Sequence, residues 1–127
     1  MPLKVTVETK PGGTYVVLRP EGSIDAATYT TLAVEVEAVL QKSPSLLIFD
    51  LEKVGYVSSA GIGVVLAAEK AMKKAGGKTL LVNLKPQIKK VFDIVQALPS
   101  QQLFNNTKDL DEYLAEMQRQ VREGPPV

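Results

Sequence analysis

The chain has 127 residues, carries 15 Lys and Arg against 14 Asp and Glu for a formal charge of +1, and is 45% hydrophobic. That is the balance of one ordinary domain, able to bury roughly two-thirds of its unfolded surface without disulfides or a structural metal. With neither Cys nor His, it can build no thiol nucleophile, redox pair, Cys/His zinc site or imidazole base.

Near-neutral charge, 6% aromatics and no Trp give none of the basic, stacking surface used for nucleic acid. No apolar run approaches the roughly 18 residues of a membrane span, and Met1-Pro2-Leu3-Lys4 lacks the apolar stretch of a secretory signal. The expectation is a cytoplasmic protein with no cofactor, no nucleic acid partner and no membrane insertion.

Leu3, Val5 and Val7 alternate with polar residues at strand period, and Pro11-Gly12-Gly13 turns the chain into Tyr15-Val16-Val17-Leu18, predicting an N-terminal hairpin. Pro20-Glu21-Gly22 reads as a turn. Asp25 is then placed to cap a first helix whose apolar positions Tyr29, Leu32, Val36, Val39 and Leu40 carry it to about Lys42. Ser45–Leu51 is short and nearly all apolar, which predicts a central strand covered by helices on both faces.

A second helix is predicted from Ser59 to Ala75, stopped by Gly76-Gly77, and a strand over Lys78–Asn83. Pro86 opens a third helix striped by Ile88, Val91, Phe92 and Val95. Leu103-Phe104 reads as a short edge strand. Thr107 caps a final helix, with Asp109 and Asp111 near its positive end and Leu110, Tyr113, Leu114, Met117 and Val121 along one face. Residues 1–121 thus form one domain and 122–127 a loose tail. The fold class is α/β, a single mixed, mostly parallel sheet of four to five strands with an N-terminal hairpin and about four helices packed on it.

The loop after the central strand, Val54-Gly55-Tyr56-Val57-Ser58-Ser59-Ala60-Gly61-Ile62-Gly63, is the most unusual passage. Ser58 is placed as N-cap, accepting from the N–H of Ala60 or Gly61, and Ser59 at the first helical position is expected to be the more exposed hydroxyl. Gly61 and Gly63 each cost about 1 kcal/mol relative to Ala in a helix. Without side chains they open backbone N–H groups to another molecule, and a phosphate on Ser59 would meet the positive end of the helix dipole there. Read blandly, the serine only caps a helix, and the glycines let that helix cross the sheet closely.

Gly22-Ser23-Ile24-Asp25, Leu47-Ile48-Phe49-Asp50-Leu51, Tyr56 through Gly63, Ala75-Gly76-Gly77-Lys78 and Val91-Phe92-Asp93-Ile94 together resemble the STAS-domain family, specifically its small stand-alone anti-sigma factor antagonists. The resemblance runs from about Leu3 to Leu114. It implies a bacterial, non-catalytic signalling protein of transcription regulation whose loop serine is phosphorylated. In that family the loop reads Asp-Ser-Ser/Thr/Ala-Gly, so Ser58 stands where the Asp is usual and Ser59 at the phosphoacceptor. The partners implied are an anti-sigma factor that doubles as a serine kinase, and a serine phosphatase. The implied docking surface comprises Gly22, Ser23, Asp25, Ser58, Ser59, Ala60, Gly61, Ile62 and Gly63.

One alternative on the same fold is a STAS subunit bound to the ATPase component of a lipid transporter, without phosphorylation. Another, of a different class, is a receiver-like phosphoacceptor at Asp50, although the first strand leads into Lys10-Pro11-Gly12-Gly13 rather than the carboxylates that a Mg²⁺ site needs. Gly76-Gly77-Lys78-Thr79 is no P-loop, since Met72 occupies the required earlier glycine and the segment runs from helix to strand. Lys70, Lys73, Lys74, Lys85, Lys89 and Lys90 read as solvated faces and helix-end charges.

Overall fold

The computed structural model describes residues 2–10, 12, 14–97 and 107–123. In chain order these form β1 (Lys4–Thr9), β2 (Tyr15–Ile24), α1 (Tyr29–Leu40), β3 (Leu46–Asp50), β4 (Val54–Val57), α2 (Ser59–Lys74), β5 (Lys78–Val82), α3 (Pro86–Ala97) and α4 (Thr107–Glu123). β1 and β2 make the expected antiparallel hairpin, with Lys4 opposite Glu21 and Thr9 opposite Val16. The other pairings are parallel, giving a five-stranded mixed sheet in the order β1-β2-β3-β5, with β4 paired to β2.

Two strands differ from their expected form. β2 does not turn at Pro20-Glu21-Gly22 but continues to Ile24. Its parallel ladder to β3 covers Tyr15–Leu18 and its ladder to β4 starts at Gly22, so Pro20 falls between the two, where no parallel partner needs its missing N–H. β4 stands where the sequence predicts only loop. Four residues containing Gly55 carry no usable alternation, and only the pairing of Gly22, Ser23 and Ile24 with Val54, Tyr56 and Val57 makes the segment a strand.

Helices do not sandwich β3. Leu47 and Phe49 are fully buried while Leu46 and Ile48 are half-buried, and Leu80 beside Ile48 on β5 is 47% exposed. The chain steps from β2 to β3 through α1, and from β4 beside β2 to β5 through α2, always in the same direction across the sheet. Crossovers of the usual right hand then fall on one face, and α1 and α2 pack against each other there.

The core lies between that face and the helices, around Leu18, Leu47, Phe49, Leu32, Val65 and Met72. α3 packs on β4 and α4, and α4 also reaches α2. α2 ends in the expected glycine turn, with Gly76 at φ +85° and the N–H of Gly77 donating to Met72 O at 2.8 Å. α4 continues through Arg122 and Glu123, which the sequence assigns to the tail. The Leu103-Phe104 strand, the side chains of Thr107, Asp109 and Leu110, and residues 124–127 lie outside the described residues. Among the described residues, no helix is long and apolar enough to cross a membrane.

Candidate functional site

β2 and β4 run parallel and end side by side at Ile24 and Val57. The N–H of Ser58 then donates to Ile24 O at 2.8 Å, which holds the turn after β4 against the loop after β2. The Gly22–Asp25 and Ser58–Gly63 segments are thereby brought together, at the carboxyl ends of parallel strands where α/β sheets gather their functional loops.

Ser58 is the N-cap of α2, with extended backbone at φ −92° and ψ 176°. Its Oγ accepts from Gly61 N at a long 3.4 Å, and its carbonyl accepts from Ile62 N at 2.9 Å. Gly61 is no opening for a ligand. A Cβ there would stand 2.7 Å from Ile24 Cγ2 and from Val57 Cγ2, and 2.9 Å from Ile24 O. The missing side chain lets the first turn of α2 press directly on the ends of both strands. Gly63 is exposed, and a Cβ there would meet nothing within 4 Å.

Ser59 is not the open hydroxyl that its position suggests. The residue is half-buried, but its Oγ has less than 1 Å² accessible and no hydrogen-bond partner. Two side chains of α4 stand at this turn. Asp111 Oδ1 accepts from the N–H of Ser59 at 2.8 Å, taking one of the free donors of the α2 terminus. Gln118, 2% exposed, accepts from Val57 N at 2.9 Å and donates to Val57 O at 2.7 Å, as a neighbouring strand would. Tyr56 completes the group. Its hydroxyl is held above the ordinary tyrosine range by burial first, then by the negative charges of Asp111 and Asp25.

Asp25 does not cap α1. Its Oδ1 accepts from Ala27 N at 2.9 Å and Thr28 N at 3.1 Å, closing the turn that precedes the helix. α1 begins at Tyr29, and its N-cap Thr28 makes no side-chain capping bond. Thr28 Oγ1 instead donates to Ser23 O at 2.7 Å, tying the turn back to β2.

Of the nine residues expected at the docking surface, Ser23 and Gly63 are exposed or half-exposed, and Gly22, Asp25, Ser59 and Ala60 are also partly open. Ser58, Gly61 and Ile62 are buried and only shape the backbone beneath. Sequence reasoning misses Tyr56, Asp111 and Gln118 as parts of the site. The available signal is Gln118, a polar side chain four residues after Leu114 on the apolar face of its helix.

Asp50, the rival phosphoacceptor, has Oδ1 accepting from Glu52 N and Asn83 Nδ2, both at 3.2 Å, and Oδ2 3.4 Å from Arg19 Nε. Among the described residues no three His, Cys, Asp or Glu side chains gather as metal ligands.

The mixed sheet, with α1 and α2 packed together on one face and a serine-capped turn braced by a neighbouring loop, defines a small α/β domain. The profile of the STAS domain family matches residues 4–110, and the chain belongs to that family. It is 34% identical over 74 residues to BtrV of Bordetella bronchiseptica, described as a candidate anti-sigma factor antagonist, across 58% of this chain and 64% of that protein. The chain thus spans just under two-thirds of the length of that relative. It is 30% identical over 78 residues to an anti-sigma F factor antagonist of Lysinibacillus sphaericus, across 61% of this chain and 67% of that protein. The structure of an anti-sigma factor antagonist from Mycobacterium paratuberculosis superposes with a TM-score of 0.65 at 21% identity, covering 89% of this chain and 94% of that one.

Proposed function

We propose that the protein is an anti-sigma factor antagonist, a non-catalytic domain that binds an anti-sigma factor, frees a sigma factor, and is turned off by phosphate at Ser59. The observation that carries this reading is the Ser58–Ser59 turn at the start of α2, fixed to the Gly22–Asp25 loop through the Ser58 N–Ile24 O bond. The relatives' names agree with it. Beside Ala60 and Gly63 an apolar groove of about 400 Å³ opens between α1 and α2, lined among others by Tyr29, Val36, Leu40 and Val64. This extends the surface on which the anti-sigma factor docks.

In the off-switch, Ser59 Oγ attacks the γ-phosphorus of ATP held by the partner kinase. An O–P bond forms, the bond to the β,γ-bridging oxygen breaks, ADP leaves with the electron pair, and the hydroxyl proton passes to a base of the kinase. The product adds roughly −1.5 to −2 charges at pH 7 where the interface fits a neutral hydroxyl. A serine phosphatase restores it by hydrolysis.

The test is titration of Ser59→Ala and Ser59→Asp against the purified anti-sigma factor of the same genome. The alanine variant keeps parental affinity and the aspartate variant loses about tenfold or more. Equal affinities overturn the charge switch. Incubation of the parent with the same partner and ATP adds one phosphate at Ser59, read by fragmentation mass spectrometry, and none to Ser59→Ala.

A further inference from the structure

The hydroxyl that takes the phosphate in this reading is buried, and the chain's last helix stands against the backbone of the same residue. Asp111 holds the N–H of Ser59 at 2.8 Å, Gln118 holds both backbone groups of Val57, and Ser59 Oγ is left with under 1 Å² accessible. No kinase reaches γ-phosphate to an oxygen so enclosed. A phosphate on that oxygen would also settle against the free N–H groups of the first helical turn, where the Asp111 carboxylate already sits.

We infer that α4 is a latch over the Ser58–Ser59 turn, which leaves the turn before Ser59 can be phosphorylated and is kept off afterwards by the phosphate, because phosphate and the Asp111 carboxylate are two anions competing for one helix terminus. This rests on the reading of Ser59 as the phosphoacceptor. The closed state has a built-in weakness that makes it displaceable: the Ser59 hydroxyl is buried without a hydrogen bond, a cost that opening relieves. On the face toward the turn its bonds come from Asp111, which is half-buried, and from Gln118, while most of its packing is to α3. Leu114 is fully buried in the core, so opening gives up that burial and the Gln118 bonds and is a local excursion from the closed state.

The chain contains no cysteine, so Ser59→Cys supplies a single thiol at the closed position. Its alkylation by iodoacetamide in the folded chain is expected to be at least about tenfold slower than in the urea-unfolded chain, as for a group reached only through local opening. Adding Asp111→Ala and Gln118→Ala raises the folded rate by about tenfold or more. Asp111→Ala alone gives a smaller acceleration and serves if the triple variant does not fold. A folded-chain rate equal to the unfolded rate, or no acceleration in either background, overturns the latch.

For the second half of the inference, Ser59→Asp raises hydrogen exchange across residues 111–121 by about tenfold over Ser59→Ala. Equal exchange removes the competition between anions. The thiol measurement needs no kinase, so it separates the two ideas. If it fails while the parent is phosphorylated at Ser59, only the latch is lost. If no variant accepts phosphate from the partner kinase, including one carrying Asp111→Ala and Gln118→Ala, the switch is lost while the thiol rates stand.

Discussion

Two glycines in one helical turn do opposite jobs. Replacing a helical glycine by alanine gains about 1 kcal/mol of propensity. At Gly61 the new methyl would press on Ile24 O at 2.9 Å, a backbone atom that cannot swing aside, as well as on two methyls at 2.7 Å. Overpacking of this kind costs about 1–3 kcal/mol, so Gly61→Ala is expected to forfeit the propensity gain and lose up to about 2 kcal/mol net. Gly63→Ala meets nothing and keeps the gain. Urea midpoints at unchanged m-value decide this, and equal midpoints for the two variants would show that the turn does not press on the strands.

Tyr56 offers a pH signature of the same corner. Its hydroxyl is raised by burial, and further by Asp111 and Asp25, so the folded chain holds that proton more tightly than the unfolded chain does. The associated stability is complete below the ordinary tyrosine value of about 10 and is lost as pH rises through the higher folded value. The parent should therefore lose stability above about pH 10 faster than Tyr56→Phe, which has no proton there to release. Parallel stability curves would place the hydroxyl in water.

At the scale of elements, α4 substitutes for a strand. Val57 is the last residue of β4, and Gln118 supplies the donor and acceptor that another strand would give. In Gln118→Leu the shape is nearly kept but Val57 N–H and C=O are left buried and unpaired, an expected loss of about 2–4 kcal/mol in urea unfolding. A loss below about 1 kcal/mol would mean that the bridge is dispensable.

The regular elements are legible in the sequence because each carries its own period: Leu32, Val36 and Val39 on α1, and Ile62, Val65, Ala68 and Met72 on α2, are buried at helical spacing. Ser58 is legible as a cap from residue type and position alone. The bracing of Ser59 is not, since its N–H is held by a carboxylate 52 positions along the chain. Nor does a lone glutamine on an apolar helix face say which backbone it will satisfy. β4 escapes for a similar reason, being made a strand by pairing that its own four residues do not announce.

For the whole molecule, the direction in which the chain crosses the sheet decides where its apolar surface goes. An all-apolar segment such as Leu46–Phe49 reads as buried on both faces, but that demands helices on both sides, and so a reversal in the order of crossovers. The strand order contains none. One face takes Val16, Leu18, Leu47 and Phe49 into the core, and the other leaves Leu46 and Ile48 less than fully buried and Tyr15 and Leu80 exposed. Substitutions therefore sort by face rather than by residue type. Leu47→Ala, at a position with no exposure, should cost about 2–5 kcal/mol through lost burial and the cavity left behind. Leu80→Ala, on the neighbouring strand but on the open face, should change stability by no more than about 0.5 kcal/mol. Thermal and urea unfolding of the pair measure the asymmetry directly, and a Leu80 variant as damaging as the Leu47 one would mean that a layer covers the second face in solution.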